Sequence, residues 1–350
     1  MAGRVLSTRA LNRALLARQL LLEPAARSIT TALETIGGLQ TQYAPSGYVG
    51  LWSRLLDFRR ETLTEALEER RVIQATLMRS TIHMVSAADF PLFAAGTRSA
   101  RREWWRRAQR GALDGVDMDA VAGRVRHHLS GTSRRHAEML ELLAADGHPR
   151  IAWASAGDWV DLVRVPPSGT WTHRRADLYG LADEWLGPTR TAEEEGREHL
   201  VRRYLAGFGP ARLADIANWA GLPVTPLRPI VERLELVRFR DQEGRELLDL
   251  AGQPLPDPDT PAPVRFLPTW DATLLVHARR TLILPEEHRP RIFNTKTPHS
   301  FPTVLVDGEV VGTWRFEKGR VDVELFEEPA RAVRAQVEAE AARLAEFHAP

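Results

Sequence analysis

At 350 residues the chain is long enough for roughly two or three domains and a sizeable core, which excludes a peptide-scale module. Its 47 basic residues nearly balance 46 acidic ones, for a net charge of +1, so a nucleic-acid partner has to be met by a local basic surface rather than by a basic protein. The absence of cysteine excludes disulfides, thiolate nucleophiles, iron–sulfur clusters and Cys-type zinc sites.

Every basic residue except Lys296 and Lys318 is arginine, which argues against a lysine Schiff-base enzyme. Arginine's rigid fork suits phosphates and bases, although an Arg- and Ala-rich chain is also what GC-rich coding produces. Residues 1–22 carry Arg4, Arg9, Arg13 and Arg18 through the apolar positions, so no signal peptide or membrane span is expected there. The expectation is a cytoplasmic, monomeric protein with no membrane partner and no cofactor.

Leu11, Leu15, Leu16, Leu20 and Leu22 recur at helical spacing, and Ser28-Ile29-Thr30 opens a second helix. Further helices are expected over 49–58 and 61–70, the latter with Leu63, Ala66 and Leu67 inward. The period then changes, and the β-branched runs 72–79 and 80–85 read as a hairpin, so that helices followed by a short hairpin describe a winged helix. The same order returns at 118–129, 133–145 and 149–160, followed by a wing over 163–171 whose Pro-Pro-Ser-Gly supplies turn chemistry. It returns again at 193–206, 210–220 and 226–234, with a hairpin over 235–250 turning at Glu243-Gly244. A proline-rich linker covers 252–263. Strand-like runs at 264–267, 281–284, 303–306, 310–316 and 321–325, the middle pair joined at Asp307-Gly308, suggest a small barrel or curled sheet, and an Ala-rich amphipathic helix covers 329–348. The expected fold is α+β: three tandem winged-helix units (6–96, 117–188, 189–251), an Arg/Trp-rich connector (97–116), and a small C-terminal β-barrel with a terminal helix (264–350).

The most informative stretch is Gln40-Thr41-Gln42, just after Gly37-Gly38. In an extended segment, side chains two residues apart project to one side, so both carboxamides can face one small volume and position a water without acting as a strong base. Such a site suits a reaction whose leaving group is already good. The alternative is a polar turn whose glutamines hydrogen-bond the backbone.

The strongest electrostatic feature is the run holding Arg98, Arg101, Arg102, Arg106, Arg107 and Arg110 around Trp104 and Trp105. It reads either as a helix laid along phosphates or as a solvated connector with buried tryptophans. Arg79, Thr81 and His83 alternate along one face of a predicted strand, and Arg164, Ser168, Gly169, Trp171, Arg174 and Arg175 belong to the second wing. Each set is either a groove-binding surface or a structural wing. Asp271, His277, Arg279 and Arg280 sit in an apolar run, where they either reach a cleft or form an internal ion pair. No phosphate-binding loop, H-E-x-x-H or G-x-S-x-G motif is present. His127 and His128 diverge on a helix rather than share a metal, so no metal site is expected.

Gly38-Leu39-Gln40-Thr41-Gln42, Met78-Arg79-Ser80-Thr81-Ile82-His83, Arg164 to Trp171, Leu267-Pro268-Thr269-Trp270-Asp271 and Val304 to Gly308 together resemble the winged-helix DNA glycosylase superfamily containing the AlkZ and AlkX (YcaQ) types. The resemblance spans nearly the whole chain. It implies tandem winged helices and a small β-barrel arranged around double-stranded DNA. It also implies removal of N7-alkylated purines, including bulky adducts and in some members crosslinks, as a step of base excision repair. By that match Gln40 and Gln42 are the catalytic pair and place the chain on the AlkZ side. The residue between them is often apolar in the family, whereas Thr41 is polar. The expected product is an abasic site, and the competing reading is a winged-helix transcriptional regulator without catalysis.

Overall fold

The computed structural model of the chain describes residues 4–109, 111–275, 281–294 and 299–349. A short strand β1 (Val5–Leu6) leads into helix α1 (Thr8–Arg18), whose N-cap Ser7 accepts from the Ala10 amide. Helix α2 (Ile29–Ile36) is capped by Ser28 and stopped by Gly37, whose φ of 77° is the left-handed conformation that glycine adopts freely. Strand β2 (Leu39–Gln40), helix α3 (Ala44–Trp52) and helix α4 (Arg60–Glu68) follow, then the hairpin β3 (Val72–Thr76) and β4 (Ile82–Ser86). The third helix thus begins earlier than the apolar run suggested, because Pro45 fits its first turn.

Helix α5 (Phe90–Ala108) crosses to a second set: α6 (Met118–Leu129), β5 (Arg134–Arg135), α7 (His136–Ala145), α8 (Arg150–Ala156), β6 (Leu162–Arg164), β7 (Leu178–Leu181) and α9 (Ala182–Leu186). A third set runs through α10 (Glu193–Phe208), α11 (Leu213–Ala220), α12 (Arg228–Arg233), β8 (Leu236–Asp241) and β9 (Glu246–Leu250). The C-terminal part contains β10 (Arg265–Leu267), α13 (Ala272–Leu275), α14 (Arg289–Ile292), β11 (Phe293–Asn294), β12 (His299–Ser300), β13 (Thr303–Val306), β14 (Glu309–Glu317), β15 (Arg320–Leu325) and α15 (Arg331–His348).

The first two hairpins join into a six-stranded sheet of order β2-β4-β3-β6-β7-β5, linked where Gln74 pairs with Arg164. The third hairpin gains β1 as a parallel partner, Val5 opposite Arg240. Helices α5 and α10 approach so closely that a Cβ at Gly96 would lie 2.6 Å from the Gly196 carbonyl carbon. The apolar core built on this crossing unites Phe93, Leu200, Tyr204, Phe208 and Trp219 with Ile73 and Val85 of the first hairpin. A separate core of Val121, Val125, Leu129, Met139 and Trp153 serves the second set.

Helix α1 acts as the strut across the molecule, with buried polar groups that reach far along the chain. Arg18 makes a two-pronged pair with Asp249 at 2.7 Å on both prongs, Arg13 pairs with Asp307, and Asn12 donates to the carbonyls of Leu282 and Gly308.

The whole is a mixed α+β structure, but the expected C-terminal barrel does not close among the described residues. Strands β10, β13, β14 and β15 form an open antiparallel sheet with β10 and β15 at its edges. Residues 281–284, expected as a strand, run as turns, and α15 packs across both edge strands instead. No helix among the described residues is long and apolar enough to cross a membrane.

Candidate active site

Two glycines deliver the glutamines. After Gly37 ends α2, Gly38 holds φ at 81°, and a Cβ there would meet Val85 Cγ1 at 2.9 Å and the Met84 carbonyl oxygen at 3.0 Å. Only glycine lets the chain turn this tightly against β4, where Leu39 then pairs with Met84 and Gln40 with His83. Gln40 is nearly buried, and its Oε1 accepts from Arg79 Nη2 at 2.9 Å. Gln42 is exposed, and its Oε1 accepts from the Ile82 amide at 3.1 Å. Both partners are donors, so each carboxamide is oriented oxygen-inward, and among the described residues neither amide nitrogen has a partner.

The intervening Thr41 packs the other way. It is 1% exposed, its Cγ2 lies against Gly47 of α3, and its hydroxyl has no partner. The strand-like projection expected for the pair therefore holds for the middle residue. The two glutamines are anchored to one hairpin, Gln40 at its turn and Gln42 at the start of β4.

That hairpin differs from the predicted pair of strands. Arg79 does not alternate with Thr81 and His83 along a strand: it sits in the turn, with φ of 53° at Arg79 and 56° at Ser80. Thr81 is extended and donates its hydroxyl to the Met78 carbonyl. His83 is in β4, 3% exposed, with Nδ1 at 3.0 Å from the Thr81 carbonyl. Burial pushes its imidazole down to about 3, and the nearby Arg79 charge acts in the same direction, so His83 is neutral around pH 7.

Gln42 and the residue after it line two different clefts. Gln42 lines one of about 280 Å³, shared with Arg101, Trp105, His136, Trp153 and Arg164. Tyr43 lines the other, about 500 Å³, with Arg174, Phe301, Trp314, Phe316 and His348. Nothing in the sequence reading singled out Tyr43, which is 40% exposed and accepts from Arg174 at 2.9 Å. The signal was its position directly after Gln42.

The arginines of α5 divide by depth. Arg98 pairs with Asp161, Arg101 is sealed against Asp158, and Arg102 donates to the Asp158 carbonyl over the Trp159 ring. Burial lowers the Arg101 guanidinium and raises the Asp158 carboxyl. Arg106 is exposed over the Trp159 ring, and Arg107 is exposed beside Glu103. Trp104 is 54% exposed rather than buried.

The predicted second wing folds inward. Arg164 is buried over Tyr179 and bonds Thr76, and the Ser168 hydroxyl is consumed by the Arg175 carbonyl and the amides of Asp177 and Leu178. The Gly169 carbonyl accepts from Gln74, and Trp171 packs on Tyr48 and Phe347. Arg174 stays exposed, over Tyr43 and Trp171. Asp271 does not reach a cleft: it makes a two-pronged pair with Arg54 at 2.9 and 3.0 Å, both side chains fully buried. Arg110, His277, Arg279 and Arg280 lie outside the described residues. Among the described residues no group of three or more His, Cys, Asp or Glu could hold a metal ion.

A family model described as DNA glycosylase AlkZ-like matches residues 33–347. Among solved structures, the Streptomyces sahachiroi DNA glycosylase AlkZ superposes with a TM-score of 0.81 at 21% identity, covering 98% of this chain and 97% of that one, a likeness of fold. No curated protein matches the chain.

Proposed function

The chain belongs to the AlkZ-like DNA glycosylase family, and from that membership we propose that it hydrolyses the N-glycosidic bond of N7-alkylated, cationic purines in double-stranded DNA and leaves an abasic site. The observation that carries this reading is the pair of carboxamides, Gln40 and Gln42, anchored by their oxygens to the β3–β4 hairpin with their amide nitrogens free. Alkylation at N7 places positive charge on the base and makes it a good leaving group. The enzyme then chiefly has to align water with the sugar C1′ while a cationic, sugar-like transition state forms. Each glutamine retains amide hydrogens to donate to that water and a second oxygen lone pair to accept from it. Bases stronger than a carboxamide are not required.

We read the three stretches 6–96, 117–188 and 189–251, each of helices followed by a hairpin, as winged-helix units that embrace the duplex, with the 97–116 connector between the first two. Phosphate contacts fall to the candidate arginines that remain exposed, Arg106, Arg107, Arg174 and Arg175. With only two lysines in the chain, Lys296 and Lys318, an imine-forming lyase step has little support, so the enzyme is read as monofunctional.

The test is single-turnover base release from a duplex carrying N7-methylguanine, read by alkaline cleavage of the abasic product. Gln40→Ala is expected to lower the rate roughly a hundredfold, about 3 kcal/mol of barrier, and Gln42→Ala by less, while duplex binding persists. Wild-type release by both variants removes this assignment. A sequence-specific gel shift without any base release identifies a regulator instead.

A further inference from the structure

We infer that Arg79 is a positioning residue that fixes the orientation of the Gln40 carboxamide by bridging it to the end of α11. The inference rests on reading Gln40 as a water-positioning residue.

The bridge begins with a vacancy that the sequence dictates. Near a helix C-terminus the last carbonyls lack intrahelical donors, and the residue four after Trp219 is Pro223, which has no N–H. The Trp219 carbonyl therefore needs a partner from elsewhere, and Arg79 Nη1 donates to it. Arg79 Nη2 donates to Gln40 Oε1 at 2.9 Å. One planar guanidinium thus spans two acceptors on elements 140 and 39 residues away in sequence.

The backbone is arranged to make this reach. Arg79 and Ser80 both occupy left-handed φ, a conformation that non-glycine residues adopt at a cost. Gly221, which ends α11 with φ of 72°, leaves room for the turn: a Cβ there would lie 2.9 Å from the Arg79 amide nitrogen. The strained turn and the glycine facing it together seat the side chain inward, between Gln40 and the end of α11.

For the chemistry, the bridge removes the two-fold ambiguity of a carboxamide. A free glutamine can present either oxygen or nitrogen to a water, whereas a cationic donor on Oε1 holds the amide hydrogens outward. The positive charge itself rests against the carbonyl end of α11, the negative end of the helix dipole. Burial lowers the guanidinium to about 10, so it remains protonated throughout the neutral range.

The test uses the full-length protein with Arg79→Gln, Arg79→Lys, Gln40→Ala and the double variant Arg79→Gln/Gln40→Ala, measured by single-turnover release from N7-methylguanine duplex, by binding to undamaged duplex and by thermal unfolding. Arg79→Gln is expected to lower the saturating rate about tenfold or more with undamaged-duplex affinity within about twofold of wild type. Arg79→Lys, which keeps the charge but loses the planar two-pronged fork, is expected to recover part of the rate and serves if the Gln variant does not fold. In the Gln40→Ala background, Arg79→Gln is expected to change the residual rate by less than about twofold, since the group it positions is gone. Full multiplication of the two losses, a loss that appears only as weaker binding, or wild-type release by Arg79→Gln overturns the inference while leaving Gln40 intact as a catalytic residue. Wild-type release by Gln40→Ala removes the premise itself.

Discussion

Arg101 and Asp158 lie 3.3 Å apart with neither side chain more than 4% exposed, so the charge of the arginine at the centre of the basic helix is met inside the protein, at the wall of the cleft that Gln42 lines. Its Nη1 also donates to the Thr76 carbonyl at the end of β3, tying α5 to the first hairpin and, through Asp158, to the second set of helices. Removing one partner of a buried pair leaves an uncompensated charge. Arg101→Gln is therefore expected to lower unfolding stability by about 3 kcal/mol.

The exposed arginines of the same helix predict a different outcome. Arg106→Gln and Arg107→Gln are expected to leave the unfolding midpoint nearly unchanged and to weaken binding to damaged and undamaged duplex alike. Each should reduce the slope of log K against log salt by about one. An unchanged salt slope in both would assign this end of α5 to structure. Read together with Arg101→Gln, the three variants separate fold from phosphate contact on a single helix.

How much of this was legible beforehand depended on whether the cause was local. Helix α6 appears at Met118–Leu129 as its spacing indicates, and Ser28 caps α2, because caps and periodicity act within a few residues. The glutamine motif was visible because both residues lie within one stretch. The merging of two hairpins into one sheet was not, since it hangs on Gln74 meeting Arg164 across the chain. Nor was the burial of Arg13, Arg18 and Arg54, whose partners Asp307, Asp249 and Asp271 lie more than two hundred residues away. In a composition so rich in arginine, nothing local distinguishes a guanidinium that meets solvent from one that locks two distant segments. The same limit placed Arg79 on a strand face, where the turn has in fact turned it toward Gln40.

Thr41 carries a prediction in the opposite direction. Its hydroxyl is buried without a partner between the two glutamines, while its methyl packs on α3. A buried, unsatisfied polar group costs about 1–3 kcal/mol, and valine has the same shape without it. Thr41→Val is expected to raise stability by about 1 kcal/mol and to leave base release within about twofold of wild type. A loss of activity with unchanged stability would mean that the hydroxyl reaches the reacting water.

His83 predicts a stability effect of defined sign. Its folded value is about 3 against an ordinary 6.5, so below pH 6.5 the unfolded chain takes up a proton that the folded protein refuses. This contribution is fully present above pH 6.5 and is lost as pH falls toward 3. Replacing the ring by an uncharged amide in His83→Asn should reduce the pH dependence of unfolding free energy between about pH 6 and pH 4. The reduction is at most about 1.4 kcal/mol per pH unit. An identical slope in the variant would place the proton uptake on other groups.

Lesion choice follows from what the glutamine pair lacks. Two carboxamides cannot protonate a neutral base before it leaves, and the neutral His83 imidazole beside Gln40 holds no proton at pH 7 beyond the one on its donor nitrogen. Release should therefore depend on the positive charge carried by the lesion itself. N7-methylguanine is expected to be excised, with N3-methyladenine a second substrate, while uracil and 8-oxoguanine stay in place. The decisive comparison sets N7-methylguanine against its ring-opened, neutral derivative in the same duplex, under single-turnover conditions. Preference for the cationic form by about a hundredfold or more corresponds to roughly 3 kcal/mol of leaving-group activation supplied by the substrate. Faster release of the neutral lesion would show that activation comes from the protein, and His136 and Asp158, which line the cleft with Gln42, would become the residues to substitute next.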